Sequence, residues 1–226
     1  MHPSFYNMKK KSRILILICI AALAAMYFVP VWNIALEAPQ YPEGLGMQIW
    51  LDRITGDLNT INGLNHYIGM KAIHPNSIEE LKLMPYIVGF MILAGLIVFF
   101  LNKKSVLFVW IMIMALTGIA GIYDFWSWEY DYGHNLDPTA AIKIEGMNYQ
   151  PPLIGSKQLL NFNAASYPDA GGLIYFLVIV TAIFVFFGEV KFQKQKNEKS
   201  TNEPGNLGYN DLDRMQQGTA TAELRN

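Results

Sequence analysis

The sequence of 226 residues is poor in charge and nearly free of cysteine. Only 15% of its residues are charged, whereas 52% are hydrophobic, and this balance excludes an ordinary soluble domain. The one cysteine, Cys19, lies inside a long hydrophobic run. The segments between the hydrophobic runs therefore contain neither a disulfide nor a thiolate ligand for a metal.

The sequence also lacks the motifs of common catalytic sites. It has no glycine-rich phosphate loop, no nucleophile elbow, no cysteine pair for redox chemistry or haem attachment, and no H-E-x-x-H motif. Its hydrophobic runs contain no charged residue, which argues against a proton relay or an ion-coupled transporter. They also lack the two histidines that would hold a haem between helices. We therefore predict that the protein is not an enzyme, and we expect no nucleic acid among its partners.

Four hydrophobic runs are each long enough to cross a bilayer, for which about 20 residues suffice. Each run is expected to be a helix, because a backbone in lipid must satisfy its own hydrogen bonds. The first run continues to Trp32, beyond the usual length of a cleaved signal peptide, so it is read as a retained helix. The sequence predicts an all-α membrane protein with four transmembrane helices, two structured extracytoplasmic segments and a disordered cytoplasmic tail. The predicted transmembrane helices are residues 14–32, 84–101, 105–122 and 170–188.

Basic residues determine the predicted orientation. They cluster before the first helix, between the second and third helices, and after the fourth helix, and such clusters face the cytoplasm. The predicted cytoplasmic parts are residues 1–13, 102–104 and 189–226, and the predicted outer segments are residues 33–83 and 123–169. We expect a multi-pass protein of the bacterial inner membrane, in contact with membrane lipid, with both termini in the cytoplasm. The acidic outer segments attract cations, although the positive-inside rule alone produces the same asymmetry.

Histidine and methionine in the outer segments predict a metal site. His66, Met70 and His74 are spaced four residues apart, and His134 lies among aromatic and acidic residues. Imidazole and thioether groups bind soft and borderline metals, above all copper. If residues 66–74 form a helix, the first three share one face, but about 12 Å of helical rise separates the two histidines. We therefore predict a partial copper site, for Cu(I), from His66 and Met70 with His74 or His134. The alternative is that the histidines are ordinary interfacial residues and that Met70 belongs to the core.

Other local patterns predict further elements of the outer segments. Residues 48–57 have the pattern of a short amphipathic helix, and residues 77–80 form a capping box that begins a helix leading into the second span. Residues 142–155 indicate a strand or an extended segment. Residues 157–166 indicate a short surface helix or a loop.

Three segments carry a family resemblance: APQYPEGL at 38–45, NGLNHYIGM at 62–70 and YDYGHNLDP at 130–138. They resemble segments of small four-span membrane proteins associated with nitrous oxide reductase gene clusters, and the similarity covers most of residues 30–190. The resemblance implies an accessory protein that assists the maturation or activity of a copper enzyme.

Together these observations favour an inner-membrane accessory protein, or copper chaperone. It would bind copper at the periplasmic face and pass it to a periplasmic copper enzyme such as nitrous oxide reductase, or exchange it with a copper-carrying lipoprotein. One alternative is a membrane scaffold without metal, whose aromatic outer segments dock periplasmic partners. Another is a membrane subunit of a quinol-linked electron-transfer path, which the missing cofactor ligands disfavour.

Overall fold

The computed structural model describes residues 7–142 and 144–201. The helices of this part are α1 (Lys10–Ala25), α2 (Leu58–Ile68), α3 (Glu79–Leu101), α4 (Lys104–His134) and α5 (Ala170–Thr201). The strands are β1 (Trp32–Ala38), β2 (Tyr41–Ile49), β3 (Ile54–Gly56), β4 (Gly155–Leu159) and β5 (Phe162–Pro168). The chain divides into two units, residues 1–186 and 187–226. The described part of the second unit is the end of α5, and the features below belong to the first unit.

Four helices are long and apolar enough to cross a membrane: α1 with the turn after it, α3, α4 and most of α5. The second, third and fourth predicted runs fall within α3, α4 and α5. The first run was predicted to be helical from 14 to 32, but its helix and the 3-10 turn after it end at Phe28, and Trp32 already belongs to β1. Large apolar side chains such as Phe100 (73% exposed) point away from the protein, as expected of surfaces that contact lipid. Trp110 is buried between the helices and donates its indole N–H to the carbonyl oxygen of Met91 at 3.0 Å.

Helix α4 is longer than a bilayer requires. Its 31 residues correspond to about 46 Å of helix, against a hydrocarbon thickness of about 30 Å. The residues after Ile122 pack against strands and loops, whose polar backbone does not occur in contact with lipid. Residues 123–134 therefore extend beyond the membrane-spanning part of α4.

The strands form one antiparallel sheet in the order β3-β2-β1-β5-β4. The prediction of an all-α protein is therefore wrong, although four apolar helices are present. Strands β1 and β5 connect the two predicted outer segments, since Trp32 in β1 lies opposite Pro168 in β5. The sheet, α2, residues 123–134 of α4 and their connecting loops form a unit that we name the extramembrane domain.

One face of the sheet forms the core of the extramembrane domain. Trp32, Ile34 and Met47 are buried on that face, where α2 and the end of α4 cover them. The Trp32 ring lies 5.1 Å from the ring of Phe125 in α4. The alternation of buried and more exposed residues along β1 is the period of a strand with one covered face.

Several local predictions are corrected by the sheet. The predicted amphipathic helix at 48–57 is wrong, because these residues end β2, turn and form β3. Residues 157–166 form most of the β4–β5 hairpin instead of a helix or loop, and the described part of 142–154 contains no strand. These errors share one cause: short strands are stabilised by pairing with distant strands and carry a weak local pattern.

Two helix ends also differ from the prediction. Helix α3 begins at Glu79, but its N-terminus has no side-chain cap, because the Ser77 hydroxyl donates to the carbonyl oxygen of His74 at 2.8 Å. The predicted capping box is therefore wrong, while the helix that it introduces is present. Helix α5 continues to Thr201, so the predicted disordered tail begins as a helix. Its remainder, 202–226, lies outside the described residues, as do residues 1–6 of the predicted N-terminal segment.

Candidate functional site

The predicted helix over residues 66–74 ends early, at Ile68. Gly69 adopts a left-handed conformation with φ of 81°, and the Met70 N–H donates back to the carbonyl oxygen of Asn65 at 2.9 Å. This turn is a common helix terminator, and glycine adopts it without steric cost. A side chain on Gly69 would also lie 3.0 Å from the carbonyl oxygen of Asp137. The prediction that His66, Met70 and His74 share a helix face is therefore wrong.

The three predicted histidine ligands lie at different places on the surface. His66 is exposed in the last turn of α2, and His74 is exposed just before the short 3-10 turn Pro75–Ser77. His134 stacks on Tyr130 with ring centroids 4.0 Å apart, and its Nδ1 lies 3.0 Å from the Tyr130 carbonyl oxygen. Within residues 7–142 and 144–201, no group of three or more histidine, cysteine or acidic residues is placed to hold a metal. The ligand role of these histidines stays a prediction.

Met70 is the predicted ligand that turns inward. It lines a cavity of about 70 Å³ between the covered face of the sheet, α2 and the end of α4, which we name the extramembrane cavity. The Gly69 turn causes this placement, because it directs the chain from the end of α2 back over the domain. The lining residues are Ile34, Leu36, Ala38, Leu45, Met47, Ile61, Leu64, Asn65, Ile68, Met70, Ile73, Trp128, Glu129, Tyr132, Tyr149, Pro151, Leu159 and Phe162.

Two polar side chains of this cavity, Glu129 and Tyr149, are unusual because they lack hydrogen-bond partners in the described part of the chain. Glu129 is 1% exposed and Tyr149 is 2% exposed. Both carboxyl oxygens of Glu129 and the Tyr149 hydroxyl have no hydrogen-bond partner among the described residues. Burial raises the pKa of Glu129 to about 8, because the ionised form loses its hydration. Glu129 is therefore mostly protonated at neutral pH.

Gly133 allows Tyr149 to reach the cavity. The Tyr149 N–H donates to the Gly133 carbonyl oxygen at 2.9 Å, one helical turn after Glu129. A Cβ atom on Gly133 would lie 2.4 Å from the backbone nitrogen of Gln150, so only glycine permits this contact. The loop that carries Tyr149 is thereby fixed against α4.

Polar contacts hold the segment after Met70 at the margin of the cavity. The Asn62 side chain accepts from the Ile73 N–H at 2.7 Å and donates to the Ile73 carbonyl oxygen at 3.0 Å. Lys71 forms a salt bridge with Asp131 of α4 at 2.6 Å. Hydrogen bonds from Lys71 and Asn135 lower the pKa of Asp131. Since Met70 is half-buried and Lys71 and Ala72 are exposed, Met70 lies between the cavity and the solvent.

Sequence reasoning singled out Met70 but missed Met47 and Glu129 as partners in one cavity. A local signal for Glu129 was available: it follows Phe125 by four residues and precedes Tyr132 by three, so all three lie on one face of α4. Both aromatic residues pack against the core of the extramembrane domain. An acid on such a face is buried.

The sequence matches no protein-family model and no curated protein. The resemblance to proteins of nitrous oxide reductase gene clusters and the accessory role that it implies therefore stay predictions. The candidate site rests on its own chemistry: two methionines, one glutamate and two tyrosines are among the residues that line a single cavity.

Proposed function

We propose that this protein is a membrane accessory protein that handles copper, as Cu(I), at the periplasmic face of a bacterial inner membrane. It supplies the ion to a periplasmic copper enzyme, of which nitrous oxide reductase is the proposed example, or exchanges it with a copper-carrying lipoprotein. One observation carries this proposal. Met70, the predicted ligand, lines the extramembrane cavity together with a second methionine, Met47.

The donor set fits copper better than the other common metals. Thioether sulfur is a soft ligand that selects Cu(I). Structural zinc sites use four thiolate, imidazole or carboxylate ligands, and calcium takes six to eight oxygens. The cavity offers neither set. A site with few ligands also exchanges its ion readily, which suits transfer.

The exposed histidines extend this proposal to the surface. His66 and His74 each lie four residues from Met70, and both are exposed while Met70 is half-buried. We assign them the role of transient ligands that carry the ion between Met70 and a partner. His134, also near the surface, is a further acceptor on α4. None of the three is required for the ion to reside in the cavity.

The orientation is supported by the lysines at the opposite ends of the helices. Lys103 and Lys104 lie at the tight connection between α3 and α4, which is at the other end of these helices from the extramembrane domain. Basic residues in a short connection favour the cytoplasmic side. The extramembrane domain then faces the periplasm, where copper enzymes receive their metal.

Met70→Leu is expected to weaken Cu(I) binding by at least about tenfold, as loss of a metal ligand or of its support does. Leucine preserves the apolar volume at the margin of the cavity but removes the sulfur. The measurement is competition between the purified full-length protein in detergent and a chromophoric Cu(I) chelator, with copper kept reduced. Met147→Leu is the matched control, because Met147 belongs to the same domain but does not line the cavity, and it should retain the wild-type affinity. Equal affinity of wild type and Met70→Leu would contradict the proposal.

A ladder of aromatic rings at the surface favours a second candidate function, docking of a periplasmic partner without metal. Tyr123, Trp126, Tyr130 and His134 follow one face of α4, with successive ring centroids 6.0, 5.6 and 4.0 Å apart. Trp126 is 41% exposed, and aromatic residues of this kind dominate protein interfaces. Under this hypothesis Trp126→Ala lowers the recovery of a partner in metal-free pull-downs, whereas Met70→Leu leaves it unchanged.

A further inference from the structure

We propose that Glu129 is the anionic ligand of a buried site for one soft monovalent cation, Cu(I) or Ag(I), which the thioethers of Met47 and Met70 complete. This inference rests on the proposed copper function and names the ligand set of that same site. The carboxylate of Glu129, on this view, supplies the negative charge that a cation needs inside an apolar cavity.

The state of Glu129 is the first argument. Buried carboxyl groups are normally paired with a cation or hydrogen-bonded, because an isolated one is costly. Neither oxygen of Glu129 has a partner among the described residues, although the side chain is 1% exposed. The described residues that line the cavity include no lysine, arginine or histidine. A cation that pairs with the ionised form of Glu129 would therefore come from outside the cavity lining and would displace the proton of the acid.

The second argument is that three separate elements bring the donors to one place. Met47 is 3% exposed in the middle of β2, opposite Ile34 of β1, so its position is fixed by the sheet. Glu129 is fixed by α4, and Met70 by the turn that follows α2. The ring of Trp128 also lines the cavity, and an indole face attracts cations that have lost their water.

The charge of Glu129 and the type of the methionine ligands select the kind of ion. One carboxylate neutralises one monovalent cation, whereas a divalent ion would leave a net positive charge in an apolar cavity. Two thioethers prefer Cu(I) and its analogue Ag(I) to hard alkali ions.

The test uses the full-length protein in detergent and Ag(I) as a probe that does not change its oxidation state. Met47→Leu and Glu129→Gln should each weaken Ag(I) binding by at least about tenfold. Met147→Leu is the matched control, because Met147 belongs to the same domain and does not line the cavity. It should bind Ag(I) as the wild type does. X-ray absorption of the wild-type complex should show two sulfur ligands, and Met47→Leu should show at most one.

Thermal unfolding of each metal-free variant identifies losses that are due to misfolding. Glu129→Gln is nearly isosteric and removes an unpaired acid, so it should unfold at or above the wild-type temperature. Wild-type affinity in either Met47→Leu or Glu129→Gln overturns the three-ligand site, even where Met70→Leu still loses copper and the proposed function stands. A wild-type protein that binds neither Cu(I) nor Ag(I) overturns the proposed function itself.

Discussion

Replacing Gly133 by alanine is expected to destabilise the extramembrane domain by about 3 kcal/mol or more, at the upper end of overpacking effects. The added Cβ would lie 2.4 Å from the backbone nitrogen and 2.5 Å from the Cα of Gln150. These are main-chain atoms that cannot rotate away. The loop that carries Tyr149 must therefore move off α4, which breaks the hydrogen bond from the Tyr149 N–H and opens the extramembrane cavity.

The expected direction of the change, a loss of stability, makes Gly133→Ala informative. Gly133 lies within α4, and alanine in a helix is favoured over glycine by about 1 kcal/mol. Gly63 provides the matched control, because it lies inside α2 and a Cβ there meets no atom within 4 Å. Gly63→Ala should be neutral or stabilising, and Gly133→Ala should lower the thermal unfolding temperature and expose 149–151 to proteolysis. Similar unfolding temperatures for the two variants would contradict the packing at Gly133.

The hydrophobic runs were sufficient to predict the four apolar helices, because each run satisfies its own backbone and needs no partner to be recognised. The sheet was different. Strand β1 lies between β2, which follows it directly, and β5, which is separated from it by two apolar helices and more than a hundred residues. Nothing within β1 identifies β5 as its neighbour.

Only the part of the candidate site that depends on the chemistry of a single side chain could be predicted from the sequence. Met70 was identified because its side chain can bind a soft metal, but the helix that would align it with His66 and His74 ends at Gly69. Glycine is a known helix terminator, so that correction was available from the sequence. The burial of Glu129 was indicated only by its place on the aromatic face of α4, and its neighbours in the cavity were not indicated, because they depend on the sheet and on the loop fixed by Gly133. A site that three elements build together is visible only once their packing is known.

Raising the pH from 5 to 9 is expected to destabilise the metal-free extramembrane domain, and Glu129→Gln is expected to remove most of that loss. The pKa of Glu129 is about 8 in the folded protein, against an ordinary value of 4.5. The folded state therefore holds a proton that the unfolded state has released between these values. The stabilisation is fully present below pH 4.5 and is lost as the pH rises through 8. Within this pH range the free energy of unfolding falls by at most about 1.4 kcal/mol per pH unit. Thermal unfolding at several pH values measures it.

The comparison with Glu129→Gln is essential, because two other acids also respond to pH. Burial and the charge of Glu80 raise the pKa of Asp124, and hydrogen bonds from Lys71 and Asn135 lower the pKa of Asp131. These groups are unchanged in the variant, so the difference between the two curves isolates Glu129. Parallel curves would show that the acid is hydrated or paired in solution. Converging curves at pH 5 and a more stable variant at pH 9 would show that Glu129 costs stability as a carboxylate. A residue that lowers stability while glutamine would fit the same space is expected to serve a function, and loss of Ag(I) binding in the more stable variant would identify that function.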